Sequence, residues 1–182
     1  MVSHTIRLII IALMTVLVAS PSVKAEVPKS NDFANQTAEE IKEDIEQKHP
    51  ASYYILASKL FSDNQKDDAV FWFYVGQLRY RFHLSANQDI DPTGDPALFA
   101  SLSETIGRSI NEYAFGNVPQ LANTFDKVLE WDKEQENFFT SKEQYPEQYQ
   151  AVRAGLEDLR RYILENEAEI KRRREENGLE NR

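Results

Sequence analysis

The run Val70–Val75, in which all six residues are apolar, constrains the fold of this chain more than any other feature. Apolar residues continue on both sides, at Ala69 and Leu78, and the segment from Lys66 to Leu84 is longer than an ordinary strand. Length therefore favours a helix over a buried strand, which is the competing interpretation. A helix with no polar face belongs in the centre of a helical bundle. Gly76 in this helix would let a neighbouring helix come close.

Capping and turn signals predict two helices before this central one. Thr37 and Glu40 form a capping box that opens a short first helix. Pro50 ends the segment, because the residue before a proline is disfavoured in a helix. A second helix is predicted from Ala51 to Phe61, and the polar turn Asp63–Gln65 joins it to the central helix.

Two further helices are predicted after a loop. Asp95 is interpreted as the N-cap of a fourth helix, with the following proline at the first helical position. Its apolar residues repeat every four positions as far as Ile110, which predicts one amphipathic helix that closes at Tyr113–Gly116. A fifth helix is predicted from Asn117–Pro119 to about Trp131.

The last predicted helix is long and begins near Pro146. After Ile170 no apolar residue appears before Leu179, so we expect the helix to leave the body and fray along the charged run Lys171–Arg174. Before that point its apolar residues alternate three and four positions apart, which is a heptad stripe with Asn166 in its seam. The stripe consists of Tyr149, Val152, Leu156, Leu159, Ile163 and Ile170.

Residues 1–25 show the three-part pattern of a cleaved secretory signal. Arg7 makes the start of the chain basic, and Leu8–Ala19 is apolar apart from one threonine. Val23–Ala25 has small residues at the two positions that a signal peptidase recognises. The apolar run is shorter than the ~20 residues that a bilayer core about 30 Å thick requires, so cleavage near Ala25 is favoured over an uncleaved anchor. The predicted divisions are a signal peptide at 1–25, a flexible lead-in at 26–35, a helical domain at 36–170 and a charged tail at 171–182.

Amino-acid composition and net charge restrict the fold classes and the kinds of partner that are expected. Six glycines and seven prolines are few for an all-β protein with many tight turns. We therefore predict an all-α fold, a single-domain bundle of about six helices. The formal net charge of −9 becomes −11 once Arg7 and Lys24 leave with the signal. Such a surface repels nucleic acid and anionic lipid and favours a basic partner.

Sequence motifs for catalysis and metal binding are sparse. The chain has no cysteine, which excludes thiol catalysis, thiolate zinc sites and covalent haem attachment. His49 and His83 lie in different segments, and His83 is interpreted as a structural hydrogen-bonding residue. Asp89–Asp95 resembles the start of a calcium loop, but Ala100 stands where the bidentate glutamate should be. We interpret the segment as a rigid acidic recognition loop and predict neither a metal nor a cofactor.

The second and third helices resemble one unit of the tetratricopeptide-like repeats of the Sel-like class. Asp68-Ala69 and Trp72-Phe73 match that family's acidic-alanine step and aromatic pair, while Ser62–Gln65 replaces its glycine-rich turn. This resemblance implies a helical hairpin and protein binding. In its size, signal and acidity the chain also resembles exported bacterial immunity proteins of type VI secretion toxins, which implies neutralisation of a toxin by contact.

Three hypotheses for the function follow. The first is a periplasmic binding protein that covers the active site of a basic secreted effector, with no enzymatic activity of its own. The second is a scaffold protein of the cell envelope, with self-association through the heptad helix left open, and the third is an envelope hydrolase with an unrecognised site. Neither nucleic-acid binding nor a membrane span after cleavage is expected. The predicted partner-binding residues are Asp89, Asp91, Thr93, Asp95, Arg79 and Arg81.

Overall fold

A computed structural model describes residues 35–182 of the chain. The predicted signal peptide and all but the last residue of the predicted lead-in lie outside the described residues. Within them the chain is all-helical, as predicted, and contains no strand. None of these helices combines the length and the apolar character that crossing a bilayer would require.

The described residues form eight α-helices, where the sequence predicts about six. A short 3-10 helix, Ile45–Gln47, lies between the first two. The helices are α1 (Ala38–Lys42), α2 (Ala51–Ser62), α3 (Lys66–Ala86), α4 (Asp95–Thr105), α5 (Gly107–Ala114), α6 (Val118–Glu134), α7 (Pro146–Glu165) and α8 (Glu167–Glu176).

Helix α3 is the central helix, as its apolar run predicts. It packs against α2, α4, α5, α6 and α7, and Phe73 and Val75 are buried. Gly76 permits the close approach of α2 that the sequence predicts. A Cβ atom at this position would lie only 2.8 Å from the Cβ of Tyr53 and 3.1 Å from Cδ2 of Tyr54.

The predicted fourth helix is two helices, α4 and α5, which meet at Ile106. The apolar repeat continues across this point and gives no sign of the break. At this break a Cβ atom on Gly107 would lie 2.8 Å from Cζ of Phe73. The backbone of Gly107 therefore packs closely against a ring of the central helix.

The prediction that the last helix frays after Ile170 is wrong. Helix α7 ends at Glu165, and the side-chain amide of its C-cap, Asn166, donates to the carbonyl of Tyr162. Helix α8 then runs as far as Glu176. Arg174 is buried because its guanidinium donates to the carbonyl of Glu180 and to the side chain of Asn181. The final residues therefore fold back onto the helices. The amide of Arg182 donates to the carbonyl of Gly116 at 2.6 Å.

Candidate functional site

The six predicted partner-binding residues do not form one surface. Asp89, Asp91 and Thr93 are exposed on the connection between α3 and α4, and Arg81 is exposed on α3. Arg79 and Asp95 are buried, so the interpretation of these two as contact residues is wrong. Their partners, described below, explain why they point inward.

Short hydrogen bonds hold the exposed part of the acidic loop in shape. Oδ1 of Asp91 accepts from the amide and from the hydroxyl of Thr93, both at 2.8 Å. These bonds, the backbone one first, lower the pKa of Asp91. The amide of Gly94 donates to the carbonyl of Asp91 at 2.9 Å and closes the turn. The loop therefore presents its carboxylates from an ordered backbone.

Asp95 is not the N-cap of α4, because Gly94 occupies that position and Asp95 is the first helical residue. The residue is 9 % exposed, and its carboxylate lies against three neutral donors. Nε2 of His49 and the hydroxyl of Tyr80 each lie 3.0 Å from Oδ1, and Nε2 of His83 lies 3.2 Å from Oδ2. Sequence reasoning misses this cluster, because the capping pattern explains the aspartate without reference to either histidine.

The other ring nitrogens fix the protonation of both histidines. Nδ1 of His49 accepts from the amide of Ala51 at 3.1 Å, so the ring proton is on Nε2 and points at the shared carboxylate. Nδ1 of His83 lies 3.0 Å from the hydroxyl of Thr140 and 3.3 Å from the amide nitrogen of Asn87, which places its proton on Nε2 as well. Burial lowers the pKa of both rings and outweighs the nearby carboxylate.

This cluster is a buried hydrogen-bond lock. All the ring nitrogens of His49 and His83 have partners inside the protein. The prediction that His83 is a structural hydrogen-bonding residue agrees with these contacts. In the part of the chain that the structure describes, no group of three or more acidic or histidine side chains is arranged to hold a metal ion.

Arg79 belongs to a second buried network, which joins α3 to α6 and α7. Its Nε donates to Oδ1 of Asp132 at 3.3 Å, and its NH1 donates to the hydroxyl of Tyr53 at 2.9 Å. NH1 of Arg153 donates to Oδ2 of the same aspartate at 3.2 Å. The Arg79 guanidinium also lies 4.7 Å from the ring centre of Trp131. Arg79 is 2 % exposed and is therefore inaccessible to a partner.

An open groove of about 430 Å³ lies between α3 and α7. No atom of the described residues lies within 4 Å of the place where a side chain of Gly155 would begin, so the absent side chain leaves the α7 side of the groove open. Gln77 and Arg81 are the polar residues of α3 in the groove. The apolar walls come from Tyr74 and Leu78 of α3 and from Val152, Leu156 and Leu159 of α7.

Arg81 supplies a cation to this groove and has no carboxylate of its own. Its Nε donates to Oε1 of Gln77 at 3.1 Å, and its guanidinium lies 5.3 Å from the ring centre of Phe99. Among the ion pairs of residues 35–182, none involves Arg81. Phe99 belongs to α4, so these two contacts hold the guanidinium at the α4 side of the groove, where it can bind an anionic group.

The groove on the other side of α7 has a different chemistry. It contains Leu164 and Leu129 but is otherwise lined by charged residues, among them Asp126 and Arg160, which pair with each other at 2.7 Å. Its second arginine, Arg161, pairs with Asp158, so both cations of this groove already have a carboxylate partner. The two grooves each expose one leucine of α7 to a similar degree, 36 % for Leu159 and 39 % for Leu164.

The candidate site is therefore the α3–α7 groove, meaning the groove lined by the residues of α3 and α7 named above. Among the predicted contact residues Arg81 lies in it, while Asp89, Asp91 and Thr93 lie on a separate exposed loop. Comparisons of the chain with models of protein families, with curated proteins and with solved structures found no match.

Proposed function

We propose that this chain is an exported binding protein that neutralises a secreted toxin by protein–protein contact, as an immunity protein does. The observation that carries the proposal is the α3–α7 groove, which combines apolar walls with an unpaired cation. We also propose that the described helices form a single-domain bundle in which α2 and α3 are a tetratricopeptide-like hairpin. Cleavage of the signal near Ala25 would deliver this bundle to the periplasm.

The groove fits an amphipathic helix of the partner. Two helices form its walls, and an apolar helix face in such a groove is a common mode of peptide recognition. The partner helix would place a carboxylate opposite Arg81, since a guanidinium binds a carboxylate through paired, charge-assisted hydrogen bonds. Leu159, which is partly exposed in the free protein, would become buried against the apolar face of that helix.

The overall charge would act at longer range than the groove. The chain carries a formal net charge of −9, and Asp89 and Asp91 project from an ordered loop. Complementary charge raises the rate of association more than the final affinity. A partner that is basic overall, and that presents one acidic residue within its docking helix, would match both features.

Two variants of α7 test the groove with a matched control. Leu159→Asp puts a carboxylate into the α3–α7 groove, whereas Leu164→Asp puts the same group on the opposite side of the same helix. We expect the first change to weaken binding of the purified effector at least about tenfold, because it costs ~1.4 kcal/mol or more, and the second to leave binding unchanged. Equal effects of the two variants on affinity would overturn the proposal.

The partner itself can be found by site-specific cross-linking. Because the chain has no cysteine, a photoreactive label can be attached at one position only. Ala151→Cys places the label in the groove, and Ala154→Cys places it on an exposed part of α7 outside the groove lining. We expect only the first to cross-link the effector in envelope extract, and the effector so identified to lose its toxicity when this chain is co-expressed.

A scaffold function is the second candidate, and the exposed apolar residues Leu159 and Tyr162 of α7 favour it. If α7 mediates self-association, the mass of the protein in solution is that of a dimer, and Leu159→Asp converts it into a folded monomer. A monomeric wild-type protein that binds an effector through the groove excludes this alternative. Light scattering of the wild-type protein and of the variant distinguishes the two functions.

A further inference from the structure

His49 lies where the chain enters α2, and its ring is surrounded by groups from three other segments. Asp95 approaches from α4, Tyr80 and His83 approach from α3, and Phe139 packs against the ring from the connection between α6 and α7. Among the described residues Asp95 is the only carboxylate in contact with the ring. The ring is therefore held in one orientation at a site that is 4 % exposed.

A second proton on His49 conflicts with this arrangement. The neutral ring donates from Nε2, so an added proton must go to Nδ1, which accepts from the amide of Ala51 at 3.1 Å. Two N–H donors would then face each other at that distance, and the bond cannot persist. Ala51 is also the first residue of α2, and the positive end of a helix dipole disfavours a cation at this position.

His83 can take up a proton without such a conflict. Its Nδ1 faces the hydroxyl of Thr140 at 3.0 Å, and a hydroxyl can turn from donor to acceptor. The amide of Asn87 would lose its longer contact with the ring but keep its 2.8 Å bond to the carbonyl of His83. His83 also lies in the last turn of α3, where the helix dipole favours a cation.

From this contrast we propose that His49 is an acid-sensitive latch at the start of α2. Protonation of His49 breaks the hydrogen bond to the Ala51 amide and opens the start of α2 locally. His83 accepts a proton in place and keeps its hold on Asp95. The direction of the titration agrees with the burial of His49, which lowers its pKa. The latch is independent of the α3–α7 groove and of the partner proposed for it.

Hydrogen exchange of the Ala51 amide tests the latch directly. In 15N-labelled protein, NMR follows the titration of both imidazoles and the protection of single amides, corrected for the intrinsic pH dependence of exchange. If opening requires protonated His49, the open fraction follows the proton concentration at pH values above the pKa of His49 in the folded protein. In that range, protection of the Ala51 amide falls about tenfold for each unit by which the pH is lowered. The amide of Leu98, bonded to the carbonyl of Gly94 in the first turn of α4, serves as the unchanged reference.

Two variants separate the histidines. In His49→Asn the side-chain oxygen can accept from the amide two residues on, as asparagine does in turns, and it does not titrate. We expect protection of the Ala51 amide to become independent of pH in this variant and to remain pH-dependent in His83→Gln. Protection of Ala51 that stays constant while His49 titrates in the wild-type protein would overturn the proposal, whether or not the variants fold. Unfolding of the whole protein over the same pH range would overturn it too.

Discussion

At the scale of single residues, Gly76 is the position where α3 tolerates no side chain. A methyl group there would lie 2.8 Å from the Cβ of Tyr53, which is fixed to the backbone of α2 and cannot swing away. We expect Gly76→Ala to lower the free energy of unfolding by about 2 kcal/mol, within the range found for overpacked cores. Urea denaturation of the variant measures this loss.

Gly155→Ala is the matched control for that experiment. The exposed glycine of α7 has nothing within 4 Å of a new methyl group. Alanine is the better helix former by roughly 0.5–1 kcal/mol, so this variant should be more stable than the wild-type protein. A similar loss at Gly155 would show that contact with α2 is not what destabilises the Gly76 variant.

For the buried hydroxyl of Ser52 we predict that removal raises the free energy of unfolding. Its Oγ is buried and has no hydrogen-bond partner among the described residues. Ser52→Ala removes a desolvated polar atom, and we expect a gain in the free energy of unfolding of ~1 kcal/mol. Thr140→Val removes an equally buried hydroxyl that contacts His83 and should instead reduce stability. Thermal unfolding of both variants compares the two, and a large loss at Ser52 would reveal a partner for this hydroxyl.

Residue type alone fails to predict where Arg79 and Asp95 point. Charged residues are mostly exposed, and they are buried chiefly when they find partners. The partner of Arg79 is Asp132, 53 positions later, and one partner of Asp95 is His49, 46 positions earlier. Nothing in the local sequence marks either pair. Arg81 has no such distant acidic partner within residues 35–182, and it is exposed as predicted.

At the scale of helices, Asp132 holds α6 against α3 and α7. Its two carboxylate oxygens bind Arg79 and Arg153, and the aspartate is buried. Asp132→Asn keeps the shape but leaves two cations without a counter-charge in the interior. We expect a loss of about 3–5 kcal/mol in the free energy of unfolding, as found when one partner of a buried ion pair is removed.

A second aspartate of α6 provides the control for this loss. Asp126 pairs with Arg160, and both side chains are at least partly exposed. Exposed pairs contribute about 0–1 kcal/mol, so Asp126→Asn should have little effect on urea denaturation. If the two variants lost equal amounts, the stability would follow the charge of α6 and not the burial of the pair.

Helix positions were predictable where a single segment contains the whole signal. The apolar run of α3 identifies the central helix because all its neighbours must cover it. The break at Ile106 was not predictable, because the apolar repeat continues across it, and the close contact beside it is between Gly107 and Phe73, a residue of another helix. The α3–α7 groove was missed for a related reason. Its walls come from two separate helices, and it is open because of the absent side chain at Gly155.

At the scale of the whole molecule, the lock around Asp95 joins segments that are distant along the chain. It connects the start of α2 through His49, the end of α3 through His83, and the connection before α7 through Thr140. A charge introduced at this point therefore affects packing among several helices at once. The overall stability of the fold should consequently respond to pH through the two histidines.

The sign of this response follows from the direction of the pKa shifts. Burial lowers the pKa of His49 and His83 in the folded protein, whereas the unfolded chain binds protons near the ordinary value of about 6.5. Below that pH the unfolded state holds more protons than the folded state. The free energy of unfolding is therefore at its full value above about pH 7.5 and falls as the pH drops through 6.5, by at most ~1.4 kcal/mol per pH unit for each histidine.

Urea denaturation at a series of pH values measures this slope, and a double variant isolates its source. His49→Asn combined with His83→Gln removes both titrating rings but leaves the surface carboxylates unchanged. The double variant should be less stable than the wild-type protein near neutral pH, yet its stability should vary less between about pH 5 and pH 7, where carboxylates with ordinary pKa values remain ionised. Parallel pH profiles for the two proteins would show that groups other than the lock around Asp95 control the acid response, because the lock is the only feature that the double variant removes.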